Sequence, residues 1–160
     1  MRDMNHRMLV QEAIRLLEPS IQKLLSEKAK RRDMHVVVMN PTLKPWDCPF
    51  EEAILMEYSF TDPTVWENPY DEMAREKARQ AWRAGRSNVE SHLLAPATLK
   101  DGDLAFYGSF EHLGVIVAAS GVESWFDVLI SGWIAVAVQQ LAQAEYQDFK
   151  TKTPMARFIG

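Results

Sequence analysis

Residues 108–148 constrain this chain more than any other stretch. They run Gly-Ser-Phe-Glu-His-Leu-Gly, then Val115-Ile116-Val117-Ala118-Ala119-Ser120, then Gly121, then an apolar segment that opens at Ser124. The run 115–119 is uninterrupted, rich in β-branched residues and too short for an independent helix, so it predicts a buried strand. Gly121 supplies the permissive backbone needed to leave that strand. Ser124 and Asp127 stand at capping-box spacing, with Asp in place of the usual Glu or Gln. Beyond them Phe126, Leu129, Ile130, Trp133, Ala137, Leu141 and Ala144 recur at helical spacing, while Val128, Ile134, Val136 and Val138 fill the opposite face. A helix apolar nearly all round has to be covered on most sides. The strand and helix therefore form the core, and the surplus apolar surface predicts a homo-oligomer.

The rest of the chain supplies partners for that unit. Leu9, Val10, Ala13, Ile14 and Leu17 line one helical face, which Ile21, Leu24 and Leu25 continue across Pro19. The proline predicts a kink or a second helix at that point. His35-Val36-Val37-Val38 reads as a strand buried on both faces. Residues 40–50 carry three prolines and read as loop, and 51–60 alternate as a second strand. Asn68, Pro69, Asp71 and Glu72 mark a helix start, Gly85 its stop, and Tyr70, Met73, Ala74, Ala78, Ala81 and Trp82 its buried stripe. Ser87-Asn88-Val89-Glu90 is a capping box for a short helix that ends before Pro96. Residues 104–110 then predict a strand, paired with 113–120 through a turn near Glu111 and His112.

This order, two hairpin-like pairs with helices between them, predicts an α+β fold: an antiparallel sheet of four to five strands with helices packed on it and a long apolar C-terminal helix. One domain over residues 1–149 accounts for the pattern, and 150–160 reads as a mobile tail. A net charge of −4 offers no basic footprint for nucleic acid. The longest apolar run, 128–138, is about half of the roughly 20 residues that span a bilayer, so no membrane segment is expected. The single cysteine, Cys48, excludes an internal disulfide framework and suits a reducing, cytoplasmic compartment.

The pattern Val-Ala-Ala-Ser-Gly-Val, then Asp127, then Ser131-Gly132, resembles the strand-to-helix turn of the GlcG/HbpS-like family, small domains described as haem-binding or haem-degrading. The helix 74–85 with the following Arg86-Ser87, and the amphipathic N-terminal helix before a Val-rich strand, are similar to the same family. The resemblance covers residues 8–148 and implies that fold, a small planar or apolar ligand, and haem as the candidate cofactor. Met39-Asn40-Pro41-Thr42 and Lys100-Asp101-Gly102-Asp103 stand where the family carries glycine-rich turns. Loops carry binding function on a fixed scaffold, so these segments are expected to set the ligand.

Haem requires an axial ligand in an apolar cleft. The histidines are His6, in the region where haem-binding members of that family use one, His35 at a strand start, His92 on the short helix and His112 in a turn. For each the alternative is a solvated or hydrogen-bonded side chain. Cys48, next to Pro49, reads either as a thiolate ligand or as a loop thiol of near-normal pKa. No i, i+4 pair or Cys/His cluster has the spacing of a metal site. Ser120-Gly121 lacks the glycine two residues before the serine that a nucleophile elbow needs, and no catalytic constellation emerges. Trp46, Trp66, Ser120, Gly121, Trp125 and Asp127 are the expected pocket or interface residues, because aromatics in loops mark both. Trp82 and Trp133 are expected in the core. Two functions follow: small-ligand binding, with haem the implied ligand, and a non-enzymatic oligomer-forming module.

Overall fold

A computed structural model describes residues 5–159. The elements are α1 (His6–Glu27), β1 (His35–Met39), α2 (Phe50–Ala53), β2 (Ile54–Ser59), α3 (Tyr70–Ala84), α4 (Asn88–Leu93), β3 (Ser109–His112), β4 (Val115–Ser120) and α5 (Ser124–Lys152). The strands form one antiparallel sheet in the order β2-β1-β4-β3, which gives the α+β fold that the sequence predicts. β1 and β4 lie at the centre, and every residue of both is buried. Their continuous apolar runs have this cause: helices cover both faces.

Alternation along the central strands sorts the core into two halves. Val36, Val38, Val115, Val117 and Ala119 face α1 and α5, joined by Ile14, Ile21, Ile130 and Ile134. Val37, Met39, Ile116 and Ala118 face α3 and the single turn of α2. There α3 presents Ala74, Ala78 and Ala81, side chains small enough for its backbone to lie close to the sheet. The result is three layers, helix pair, sheet, then helix.

α1 runs unbroken through Pro19. Both the proline and Arg15, whose carbonyl loses its helical donor, are exposed, and water can serve that carbonyl. The second strand starts at Ile54 rather than 51, because Phe50, Glu51, Glu52 and Ala53 coil into one helical turn behind Pro49. Val38 pairs with Met56 but Met39 with Ile54, so Leu55 is an extra residue at a bulge. The hairpin turn falls at Leu113 and Gly114, both at positive φ (49° and 89°), two residues later than the sequence predicts. Two-residue hairpins of that sense need positive φ at both positions. α5 extends past the expected end to Lys152, its last turns held by buried Phe149 and a Lys152–Asp148 ion pair of 2.7 Å. By length and composition alone α5 could cross a bilayer, although its uninterrupted apolar run is short. In this fold it packs along β3, β4 and α1.

Candidate functional site

The three layers meet where β4 ends. Lys77, on the sheet-facing stripe of α3, is buried and donates to three acceptors: Asp127 Oδ2 at 2.9 Å, the Ala119 carbonyl at 3.0 Å and Ser120 Oγ at 3.2 Å. Asp127, in the first turn of α5, accepts from the Val122 amide with its other oxygen at 3.3 Å. One ammonium thus ties α3 to the end of β4 and to the start of α5. Burial works against both charges. It pulls the Lys77 amine below its ordinary range despite the carboxylate beside it. It raises the Asp127 carboxyl to about 7, against the pull of Lys77 and of the Val122 amide. Ser120 Oγ finds no acceptor for its own proton among the described residues.

These groups form the floor of a cleft of about 290 Å³ between α3 and the β4–α5 turn. Tyr70, Met73, Phe106 and Trp125 make its walls, and Lys30 and Arg31 stand on its rim. Trp125 is 62% exposed, so most of its ring is open to solvent. Two glycines make the arrangement possible. A Cβ on Gly108 would stand 2.8 Å from Lys77 Nζ and 2.7 Å from the Ala119 carbonyl oxygen. Gly121, at φ 143°, passes so close to the Asp33 backbone that a Cβ would overlap its carbonyl.

A second buried polar network backs the first. Asn88 Oδ1 accepts from the Gly108 and Ser109 amides, both at 3.0 Å, and from Ser109 Oγ at 2.7 Å. Its Nδ2 donates to Gln80 Oε1 and to the Phe106 carbonyl. Asn88 therefore takes over the backbone groups of 106–109, which explains why the expected strand 104–110 shrinks to Ser109–His112. Ser87 is likewise diverted. Its Oγ accepts from the Glu111 amide at 2.8 Å and caps no helix.

Of the expected site residues, Ser120, Gly121, Trp125 and Asp127 come together in this cleft. Asp127 does not close a capping box with Ser124, because Glu123 takes the N-cap position and Asp127 turns to Lys77. Trp46 is elsewhere, 82% exposed on the rim of a separate cavity near the hairpin turn. Trp66 lines neither. Its Nε1 donates to Thr61 Oγ1 at 3.0 Å, and its ring packs edge-on against His35 and Tyr70. Trp133 is only half-buried and lies in an apolar groove along α5 with Leu129, Gly132 and Val136.

The histidines do not converge. His35 is buried with both ring nitrogens engaged, on Ser59 Oγ at 2.8 Å and Glu57 Oε1 at 3.0 Å. His92 bonds Gln80 Oε1 at 2.9 Å. Burial holds its pKa below the ordinary value, against the pull of Asp103, and Nε2 is the donor because Asn88 already fixes Gln80 Oε1 as an acceptor. His6 opens α1 and His112 ends β3. Burial and the nearby Glu52 and Asp47 carboxylates raise the Cys48 thiol, which disfavours a thiolate. Neither Cys48 nor any histidine lines the Ser120 cleft or the Trp46 cavity. Among the described residues no three His, Cys, Asp or Glu side chains gather as metal ligands. The axial ligands that haem would need from these residues are therefore not aimed at either cavity.

Lys77 was not among the expected site residues. Its signal was a lysine four residues before Ala81 and seven after Tyr70, on the stripe otherwise read as buried. Comparison with family models, curated proteins and solved structures gives no match, so the chemistry of the cleft rests on its own geometry.

Proposed function

We propose that the chain is a binding domain for a small planar molecule carrying a hydrogen-bond acceptor, taken into the cleft between α3 and the β4–α5 turn. The observation that carries this reading is the pairing of a fixed polar floor with aromatic walls in a volume of about 290 Å³. That is near the lower end of the range for small-ligand pockets, which combine apolar lining with a few placed polar groups. The Ser120 proton meets the acceptor, Trp125 and Phe106 cover the ring faces, and Lys30 and Arg31 favour a negative edge. Lys77 and Asp127 hold Ser120 in place and spend their own hydrogen bonds on the protein. No covalent step is assigned to them. Haem, which the family resemblance implies, meets no axial ligand in this cleft, since none of His6, His35, His92, His112 and Cys48 lines it, and the reading does not depend on it.

Ligand-observed NMR with two neutral planar acceptors, quinoline and 2-acetylnaphthalene, and with haemin tests the proposal. At least one of these ligands should bind saturably to the wild type and lose most of its binding to Trp125→Ala, while Trp46→Ala binds as the wild type does. The exposed Trp125 ring leaves the fold intact when removed. Binding indifferent to Trp125→Ala, or no binding by any of the three, rejects the cleft.

A second reading, self-association, is favoured by the groove along α5. It has a volume of about 600 Å³ and is framed by Phe110, Trp125, Leu129, Trp133 and Val136, with no charged residue among its lining. A second copy of the same neutral surface meets it with no like-charge penalty, as a two-fold interface requires. Light scattering at micromolar protein should give twice the monomer mass for the wild type and the monomer mass for Leu129→Glu. A monomeric wild type removes this reading.

A further inference from the structure

We propose a second, separate binding site for a planar aromatic monoanion, in the cavity of about 360 Å³ between the Trp46 loop, the end of α3 and the β3–β4 hairpin turn. It stands whether or not the Ser120 cleft binds a ligand, since the two cavities share no lining residue.

Three features of the cavity point to this ligand class. The first is a stacking surface presented at a cost. Trp46 is 82% exposed, although a tryptophan in a loop gains by folding back on the body. The loop does not leave it loose. The Trp82 indole donates to the Leu43 carbonyl at 3.0 Å, the Asn40 amide donates to the Ala53 carbonyl at 2.7 Å, and Lys44 N donates to Asp47 Oδ2 at 2.8 Å. Pro45 further limits the backbone beside Trp46. A ring held out by a fixed loop over an apolar floor of Met39, Trp82 and Ile116 is a preorganised face for a second ring.

The second feature is an unpaired cation. Lys44 is half-buried in the wall, and among the described residues its ammonium makes no ion pair or hydrogen bond. Arg83, its cationic neighbour in the lining, is already neutralised by a bidentate pair with Asp103 at 2.9 and 2.6 Å. The third is an unused donor. Asn40 Oδ1 accepts from the Thr42 amide and hydroxyl, which fixes the amide orientation, and Nδ2 has no acceptor among the described residues. Lys44 and Asn40 thus offer N–H groups to an acceptor with negative charge, a carboxylate or sulfonate. Glu111, the one carboxylate in the lining, accepts from the Gly114 amide with one oxygen. A second anionic group on the ligand would meet this carboxylate, which favours a single one.

The fluorescent probe 1-anilinonaphthalene-8-sulfonate, a planar aromatic ring system with one sulfonate, tests the site in the full chain. One saturable class of bound probe should disappear in Trp46→Ala. Lys44→Gln should weaken it roughly tenfold, the scale of one charge-assisted hydrogen bond, and Glu111→Gln should tighten it. Trp125→Ala should leave this class unchanged, which separates it from the Ser120 cleft. Thermal unfolding midpoints of the Trp46 and Lys44 variants should match the wild type, because neither side chain supports the core. Probe binding indifferent to Trp46→Ala and Lys44→Gln overturns the proposal. So does a wild-type self-association that Trp46→Ala abolishes, since Trp46 would then be a protein contact.

Discussion

Lys77→Met or Asp127→Leu alone is expected to cost about 3–5 kcal/mol of folding stability, read from urea unfolding at pH 8. Each leaves its former partner buried and unpaired, so that it must hold an uncompensated charge or give up its charge to fold. The double variant is expected to cost no more than either single one, because no unpaired ionisable group remains. It still loses the bonds to the Ala119 carbonyl, Ser120 Oγ and the Val122 amide. Losses that simply add would show that the pair is not coupled, and would refute its role as the tie between α3, β4 and α5.

The same pair sets a pH dependence whose sign follows from burial. The Asp127 carboxyl is raised from 3.8 in the unfolded chain to about 7 in the fold, so the folded state holds this proton more tightly. Its contribution is complete below about pH 4 and is lost as pH rises through about 7. Against Asp127→Asn, the wild type should therefore gain stability as pH is lowered from 7 to 4. A flat difference over that window would place the proton elsewhere.

The layers were legible in the sequence because they are written in periodicity. The valine runs of β1 and β4, the alanine stripe of α3 with its Gly85 stop at φ 67°, and the apolar α5 all declare burial locally. What escaped depends on partners distant in the chain. Leu104, Ala105, Phe106 and Tyr107 look like strand, but the Asn88 amide competes for the backbone that follows them. Asp127 sits at cap spacing, and only the fold brings a lysine 50 positions away within 2.9 Å of it. Trp46 and Ser120 both looked like pocket residues. The strand order then puts one near the hairpin turn and the other at the far end of β4, in two cavities instead of one.

Gly121→Ala is expected to be the most damaging single methyl group in the chain, on the order of 4 kcal/mol or more and poorly recovered as soluble protein. Its φ of 143° lies where a side chain is strained, and the added Cβ would overlap the Asp33 carbonyl, a backbone group with no rotamer to move away. Relief requires separating the start of β1 from the end of β4, the two central strands, which pair there through His35 and Ser120. Gly108→Ala makes the informative contrast. Its new methyl meets the Ala119 carbonyl, the end of the Lys77 side chain and Asp127 Cβ, all less closely than a Cβ on Gly121 would meet the Asp33 carbonyl, so a smaller loss of about 1–3 kcal/mol is expected, typical of overpacking. Because that methyl displaces Lys77 Nζ, the Gly108→Ala loss should shrink in a Lys77→Met background, whereas the Gly121→Ala loss should not. Thermal unfolding of the two glycine variants, of Lys77→Met and of the two double variants, against the wild type, measures both differences. Equal losses in the two backgrounds for Gly108→Ala would mean that the Ala119 carbonyl, not the buried ammonium, sets the need for glycine there.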